Sequence, residues 1–457
     1  MKMQLHPIDY AIIVLYILLL FLIGLIRRKR YFKGEDFILS GRRLTLPLFV
    51  MTLVSTWYGG ILGIGEFTYL HGLSNWFVMG FPYYIFALIY ALFIAGRVRD
   101  NNAATIPELI RERYGKTASL LSGFFVFLLT SPAAYLLISG LIVSLITGIP
   151  VYLAALLIFI VVAVYLYRKG FESVVQSDML QFMIMFAGFI ILALFLLNRY
   201  PPGEFLNTRV LPEKHLSLGG GMSLSYIVSW FFIALWTIVD PGFHQRCAAA
   251  RSAKTARNGI LVSIVFWMFF DFLTVTTGLY ARALLPDIQA LYAYPLLASQ
   301  VLPVGLLGLF MTGLLATVMS TLDSHIFISA QTIGYDVLYY LRKGDIRKNI
   351  RLGYLLSGIL AMLLIVLLPS VISIWYVVGT LVIPSLLIPV LSALYKKPVH
   401  PPMIRILMIG AFLISASWFL AGKIFGGYPL QIEPLYPGLL FSIGVYLLGR
   451  IQKTRSR

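Results

Sequence analysis

The chain has 457 residues, of which 60% are apolar and 12% charged, and its formal net charge is +18. A water-soluble protein of this length needs more polar surface to cover its core, so the composition excludes an ordinary soluble protein. Uncharged apolar runs of about 20 residues, the length that crosses a bilayer as a helix, recur along the whole sequence. They predict an all-helical, polytopic membrane protein.

The apolar runs predict thirteen transmembrane helices. The first is too long, and too weakly preceded by positive charge, for a cleavable signal peptide, so we expect it to be retained. In chain order the predicted spans are 8–27, 45–70, 75–96, 117–147, 149–167, 172–198, 223–245, 258–281, 303–341, 352–369, 371–395, 404–422 and 431–449.

The connections between these spans differ in charge. Alternate connections, beginning with the basic run Arg27–Arg30, hold 30 of the 36 Lys and Arg residues. The positive-inside rule places this basic side in the cytoplasm. We therefore expect a cell-membrane protein with its N-terminus outside and its C-terminus inside. Topology and anionic lipid headgroups account for the basic charge, so no nucleic-acid partner is predicted.

Two predicted spans are interrupted at matching positions. The second contains the glycine-rich segment Gly59–Gly65, and the seventh, five spans later, contains Asp240–Gly242. In lipid, loosened backbone bonding is tolerated only where it faces protein or a cavity. The pattern is typical of an inverted-repeat transporter with a midplane site. We predict one membrane domain, 1–457, with an extra helix at 8–27, repeats at 45–198 and 223–395, and two extra helices at 404–449.

Five acidic residues lie within the predicted spans: Glu66, Asp178, Asp240, Asp271 and Asp323. An ionisable group at membrane depth costs about 3 kcal/mol or more and is usually functional. No Lys or Arg lies near the middle of a predicted span. Buried acids without a base require protons or a bound cation, so this pattern favours a cation site.

The ninth span places hydroxyl groups beside one of these acids. Thr317, Ser320, Thr321 and Ser324 share a helical face with Asp323. Hydroxyl, carbonyl and carboxylate oxygens suit an alkali cation and do not suit zinc or copper. Isolated Ser and Thr residues often bond only their own helix, but four beside an aspartate indicate a cation site.

Five segments spread along nearly the whole chain form recognisable motifs. They are Asp36–Arg42 before the second span, Thr56–Gly60 at its break, Gly170–Gln181 at the start of the sixth, Gln245–Ala250 after the seventh and Met319–Leu322 in the ninth. Together they resemble the sodium:solute symporter family. The resemblance implies a LeuT-type fold of two inverted five-helix repeats with 13 spans. It also implies a transporter and not an enzyme.

The resemblance further implies which residues bind the co-transported Na⁺. The backbone carbonyls of Ser55, Tyr58 and Thr317 and the hydroxyls of Ser320 and Thr321 would form its coordination shell.

Some members of the family bind a second ion through the sixth-span aspartate. This implies a candidate second cation site at Asp178, Asp323 and Ser324, with Ser320 beside them. The carboxylate at 323 leaves open whether a second sodium, a proton or an amino group of the substrate is held there.

The predicted function is sodium-coupled symport of a small organic solute into the cell by alternating access. Proton-coupled symport, a channel and a solute sensor are the alternatives, and the sequence holds no HExxH or GxSxG motif of a hydrolase. The solute is a sugar, an amino acid, an amine or a monocarboxylate, and no obligate protein partner is predicted. The residues expected to contact it are Trp57, Glu66, Trp236 and Tyr376.

Overall fold

The computed structural model describes residues 2–25, 35–101, 103–166, 170–342, 344–368 and 370–455. Within these ranges the chain is helical, and one isolated β-bridge joins Leu44 to Ala250. The basic runs Arg27–Arg30 and Arg168–Lys169, which contribute to the predicted topology, lie outside the described residues.

The helices of the bundle are labelled in chain order, and short helical turns connect some of them. They are α1 (Pro7–Leu25), α2 (Leu46–Ser55), α3 (Ile61–His71), α4 (Trp76–Asp100), α5 (Ile106–Leu129), α6 (Ala133–Thr147), α7 (Val151–Leu166), α8 (Phe171–Arg199), α9 (Leu224–Ile233), α10 (Trp236–Val239), α11 (Pro241–Ala249), α12 (Ala253–Leu284), α13 (Ala293–Val301), α14 (Leu306–Arg342), α15 (Ile346–Leu367), α16 (Val371–Leu394), α17 (Pro401–Phe425) and α18 (Leu435–Arg455).

The helices have the length and composition of membrane spans. In the described ranges, nine helical segments are long and apolar enough to cross a bilayer, and α1, α2 and α7 are shorter apolar helices. Each predicted span falls on one helix or on helices separated by a short break. The chain is therefore a multi-pass membrane protein, while the count of thirteen crossings stays a prediction.

The second predicted span is broken as expected at the segment that resembles the family motif, and of its four glycines only Gly59 and Gly60 belong to the break. α2 ends at Ser55 and α3 begins at Ile61, so the break covers Thr56–Gly60. Gly65 belongs to α3, where its missing side chain makes room for the ring of Tyr294, 2.8 Å from the place of a Cβ atom. A glycine that serves close packing leaves the same sequence signal as one that ends a helix.

The seventh predicted span is broken at Asp240, as expected. Asp240 has an extended backbone and caps α11, since its Oδ1 accepts a hydrogen bond from the Phe243 amide at 2.9 Å. Asp followed by Pro at the first helical position is a typical helix start. A second interruption at Ala234–Leu235 separates α9 from α10 and was not predicted.

The fourth predicted span, 117–147, contains a break that was not predicted. α5 is kinked at Gly115, where φ is 81°, two residues before the predicted start of the span, and Thr130–Pro132 separates α5 from α6. Pro132 has no amide hydrogen and disfavours helical geometry at the residue before it. The interruption therefore has a local cause that hydropathy does not register.

α14 runs through the centre of the bundle. Of the residues in its apolar stretch, 89% are buried inside the protein, against 28% for the peripheral α17. It packs closely on α8 where glycines face each other. A Cβ atom on Gly313 would lie 3.2 Å from the carbonyl oxygen of Ile184, and one on Gly188 would lie 3.5 Å from Cα of Phe310. Small residues at such crossings let two backbones approach.

The first helix is fixed to this central helix by a buried carboxylate. Asp9 Oδ1 accepts hydrogen bonds from the amides of Gly305 (2.7 Å) and Gly308 (2.8 Å) at the start of α14. These amides have no partner within their own helix, and a negative charge is favourable at this end of the helix dipole. α1 is thus part of the packed bundle.

Candidate ion and solute site

A cavity of about 130 Å³ lies between the two broken helices. It is smaller than the roughly 300–1,000 Å³ of pockets that enclose drug-sized ligands, so it suits a small solute. The lining residues are Thr56, Trp57, Gly60, Ile64, Met79, Tyr83, Tyr135, Trp230, Ile233, Trp236, Asp240, His325 and Trp375.

Two glycines of the α2–α3 break let side chains of other helices reach its backbone. A Cβ atom on Gly60 would lie 1.8 Å from Cη2 of Trp375, and one on Gly59 would lie 2.4 Å from Cβ of Thr321. The break is therefore in direct contact with α16, which carries Trp375, and with α14, which carries Thr321.

Three of the five residues predicted to bind sodium lie together at this contact, and Ser55 takes part through its hydroxyl, whereas its backbone carbonyl was the predicted ligand. Ser320 Oγ lies 2.9 Å from Ser55 Oγ, and Thr321 Oγ1 donates to the Thr56 carbonyl at 2.7 Å. Thr317 lies one turn away, with its hydroxyl on the Gly313 carbonyl at 2.6 Å. The hydroxyls and the end of the broken helix together form a cluster of hard oxygens.

The role of the Tyr58 carbonyl, the other ligand expected from the break, stays a prediction. The Tyr58 hydroxyl lies 2.9 Å from Asp271 Oδ1 and 2.8 Å from the Trp267 carbonyl oxygen, and the carbonyl that accepts from Thr321 Oγ1 is that of Thr56. Thr56 follows the last residue of α2, where backbone carbonyls have no partner within the helix. Thr56 was not predicted as a ligand and joins the candidates for that reason.

Asp178 of α8 lies beside the same hydroxyl cluster and is completely buried. Its Oδ1 accepts from Ser320 Oγ at 2.6 Å, and its Oδ2 accepts from Thr52 Oγ1 and from Arg246 Nη2, the latter at 3.4 Å. Ser320 therefore connects the candidate sodium ligands to a buried ion pair.

Arg246 corrects the expectation that the buried acids lack a base. Its side chain in α11 has no exposure, and its Nη2 also donates to Thr56 Oγ1 (2.7 Å) and Ser324 Oγ (2.8 Å). Hydropathy assigns Arg246 to a cytoplasmic connection. In the structure, α11 turns the guanidinium toward the end of α2, and Asp178 offsets the cost of burying it.

Asp323 is directed to a different set of partners. It accepts hydrogen bonds from Tyr165, from Ser177 Oγ at 3.1 Å and from Gln181 Nε2 at 3.5 Å. Among the described residues it shares no hydrogen-bond partner with Asp178. The residues of the predicted second cation site thus fall into two groups. Asp178 and Ser324 both bond Arg246, whereas Asp323 bonds a separate set of residues.

Two of the four residues predicted to contact solute line the cavity. Trp57 and Trp236 line the cavity, whereas Glu66 and Tyr376 are not among its lining residues. The Tyr376 hydroxyl donates to Glu433, in the connection before α18. Sequence reasoning missed Tyr83 and Tyr135, which have no local motif and reach the cavity only through packing of α4 and α6.

Comparison with known proteins identifies the chain's relatives. A family model for the sodium:solute symporter family matches residues 37–412. The chain belongs to the sodium:solute symporter family. It is 26% identical over 435 residues to solute carrier family 5 member 4 of Rattus norvegicus, covering 80% of this chain and 63% of that protein. The chain spans between 55% and 64% of the length of this and the other mammalian solute carriers and cotransporters it matches.

A bacterial relative matches along the full length. The sodium/pantothenate symporter of Haemophilus influenzae is 24% identical over 484 residues, covering 97% of both chains. The family segments that carry the resemblance, including Gly170–Gln181 and Met319–Leu322, hold the Asp178 and Ser320 side chains that meet in the structure.

The fold is that of solved symporters. A substrate-bound, outward-open Na⁺-coupled sialic acid symporter aligns with a TM-score of 0.80 at 16% identity, over 98% of this chain and 97% of that one. The inward-facing transporter Mhp1 aligns with a TM-score of 0.55 at 13% identity, over 94% and 96%. At such identities the comparison shows the fold, and it is the LeuT-type inverted repeat that the sequence predicts.

Proposed function

We propose that this symporter-family chain couples the inward movement of Na⁺ to uptake of a small organic solute. The observation that carries the proposal is the contact between the α14 hydroxyls of Ser320 and Thr321 and the oxygens of Ser55 and Thr56 at the α2–α3 break. These oxygens come from two separate helices, and hard oxygen ligands suit an alkali cation. A bound Na⁺ would therefore hold the two helices together.

The proposed shell consists of backbone carbonyls and hydroxyls. Carbonyls of Ser55, of Thr56 or Tyr58, and of Thr317 would join the hydroxyls of Ser320 and Thr321. Asp178, which bonds Ser320 at 2.6 Å, would add a nearby negative charge that favours the cation without ligating it directly.

The cavity links the ion to the solute. Thr56 belongs both to the proposed ion shell and to the cavity lining, and Gly60 of the same break supports Trp375. Sodium would fix the break in the form that receives solute, and occupancy of both sites would permit the change to the inward-facing state. Each Na⁺ that enters along a potential of 100 mV would supply about 2.3 kcal/mol.

The names of relatives agree with this role. The similar proteins include a sodium/pantothenate symporter and sodium/myo-inositol cotransporters. For this chain we propose a cell-membrane location with the basic connections in the cytoplasm, and repeats bounded by 45–198 and 223–395.

The test compares sodium with potassium at equal ionic strength. Purified protein should unfold at a higher temperature in sodium, because a ligand at about 100 times its Kd stabilises the folded state by about 2.7 kcal/mol. Ser320→Ala combined with Thr321→Ala should abolish the sodium-specific increase.

The matched control removes two other α14 hydroxyls. Among the described residues, the hydroxyls of Thr312 and Thr332 bond only carbonyls of their own helix, at 2.7 and 2.8 Å, so Thr312→Ala with Thr332→Ala should keep the sodium response. Absence of a sodium-specific increase in folded wild-type protein would contradict sodium coupling and favour a proton as the coupling ion.

A further inference from the structure

The geometry of the cavity points to a small organic cation, such as an amine or a quaternary ammonium compound, as its solute. This inference rests on the proposed function, because it takes the cavity between the broken helices as the place where the transported solute binds. It gives Asp240 the role of the residue that selects for positive charge.

Asp240 supplies the negative charge of the cavity. It is the only carboxylate among the lining residues, which include no Lys or Arg. The nearby guanidinium of Arg246 pairs with Asp178, at 3.4 Å, and its charge acts on Asp240 only from a greater distance. In the described part of the chain Asp240 makes no ion pair, so a cationic solute would give it a direct partner.

The walls of the cavity are aromatic. Six of the lining side chains are Trp or Tyr. Two pairs of them are in ring contact: Trp57 and Tyr83 have centroids 4.9 Å apart at an interplanar angle of 77°, and Tyr135 and Trp375 have centroids 6.3 Å apart at 49°. Aromatic rings together with a carboxylate are the groups that bind alkylammonium ions, the rings through cation–π attraction.

An anion fits the same lining poorly. It would meet the Asp240 carboxylate and no Lys or Arg side chain of the lining, and the nearby Arg246 is already bonded to Asp178. A neutral polyol would find hydrogen-bond partners at Trp230 Nε1 and His325 Nδ1, which have none among the described residues. The comparison of charged with neutral solutes therefore decides between a cation and a polyol.

The test uses solutes that differ in charge but not in shape. Choline, 3,3-dimethylbutan-1-ol and 3,3-dimethylbutanoate present the same branched group as cation, neutral compound and anion, and tetramethylammonium and n-butylammonium extend the cations. Binding to the purified full chain is measured by calorimetry in sodium and in potassium. At least one of the cations should bind in sodium, and choline should bind roughly tenfold or more tightly than its neutral and anionic counterparts.

Asp240→Asn tests the residue itself. Asn caps a helix about as well as Asp, so the start of α11 should be kept while the charge is lost. Cation affinity should fall roughly tenfold or more, and the sodium-specific thermal shift should remain. Asp287→Asn, at an exposed position outside the cavity, is the matched control and should bind cations like the wild type.

The outcomes separate this inference from the proposed function. A sodium response without cation binding, or with equal binding of the neutral or anionic compound, would overturn the organic-cation assignment and leave sodium coupling intact. Unchanged cation affinity in Asp240→Asn would overturn the role of Asp240. Loss of the sodium response in the wild type would instead contradict the proposed function. The comparison of charged and neutral solutes needs no variant, so misfolding of Asp240→Asn would not remove the test.

Discussion

At the scale of single residues, Arg246 and Asp178 form a buried ion pair at 3.4 Å. Both side chains are fully buried, and the guanidinium also holds hydroxyls of α2 and α14 through Thr52 and Ser324. A buried pair is weak evidence of net stabilisation, but removing one partner leaves an uncompensated charge. Removal of either side chain alone should therefore destabilise the folded protein.

Arg246→Met should destabilise the protein by about 3–5 kcal/mol, because Asp178 would remain buried without its cation. Arg246→Met combined with Asp178→Asn should recover part of that loss. Thermal unfolding in one detergent measures both effects, and Arg251→Met, at an exposed position five residues along, serves as control. Equal destabilisation by the Arg246 and Arg251 variants would contradict a buried ion pair.

The sequence predicted the acids of this site but not their base. Asp178 and Ser320 stand out because polar groups are rare in apolar spans. Arg246 does not, because an arginine at the end of an apolar run resembles the many arginines of basic connections. Its burial depends on α11 being a separate helix that points the side chain at Thr52 and Thr56, and no local pattern encodes that direction.

At the scale of elements, the break between α2 and α3 does two things at once. Its Thr56 carbonyl accepts a hydrogen bond from Thr321 of α14, and Gly60 packs against the ring of Trp375 of α16. A change that displaces one of these contacts should therefore displace the other. The element is the physical connection between the proposed ion site and the cavity.

Gly60→Ala should displace the Trp375 ring, because the added Cβ would lie 1.8 Å from it. Overpacking of this kind costs about 1–3 kcal/mol, and sodium-dependent solute binding should weaken by roughly tenfold. Gly63→Ala is the matched control, since its Cβ would meet no atom closer than 3.9 Å. Similar solute binding by both variants would show that Trp375 does not depend on Gly60.

The connection between α8 and α9 carries a buried histidine. His215 Nε2 lies 2.9 Å from the Tyr69 carbonyl and therefore donates to it, and the His215 carbonyl accepts from the Leu73 amide at 2.8 Å. Gly72 has a positive φ of 66° and makes the turn that admits this contact. Burial lowers the pKa of His215 from its usual value of 6.5, and the neighbouring Arg282 and Lys214 lower it further.

This pKa predicts a loss of stability in acid. Below pH 6.5 the unfolded chain takes up a proton that the folded state resists, so stability should fall as the pH decreases from 6.5 toward the lowered pKa of the folded protein. His215→Gln should flatten the dependence of unfolding temperature on pH across this interval. His400→Gln, at an exposed position, should not. An equal slope in wild type and His215→Gln would contradict the assignment.

The helix breaks show how far local sequence determines the elements. Asp240 with Pro241 marks the start of α11 correctly, since both residues act through their own backbone. The glycines of the second span predicted a break, but its position depended on which of them pack against a neighbouring ring. Gly65 faces Tyr294, a residue more than 200 positions away, and that contact cannot be derived from periodicity.

At the scale of the whole molecule, hydropathy predicted a helical membrane bundle and the helix breaks predicted an inverted repeat, while the LeuT-type fold was implied by the family resemblance. Apolar runs of bilayer length specify helices, and two breaks five spans apart specify an inverted repeat. Sequence gave less information about the cavity, because its walls come from seven helical segments. Tyr83, Tyr135 and Trp230 meet there only after the helices have packed.

The predicted orientation can be tested with single cysteines, because the chain has only one cysteine and Cys247 is buried. On a Cys247→Ala background, Lys2→Cys should react with a membrane-impermeant maleimide in intact cells, since an odd number of spans places the two ends on opposite sides. Gln452→Cys, exposed near the end of α18, should react only after the cells are permeabilised. Lys423→Cys, exposed in the last turn of α17, should react in intact cells like Lys2→Cys, and the Cys247→Ala parent should not react. Labelling of Lys2→Cys and Gln452→Cys on the same side would mean an even number of spans, which the thirteen-span topology and its charge asymmetry do not allow.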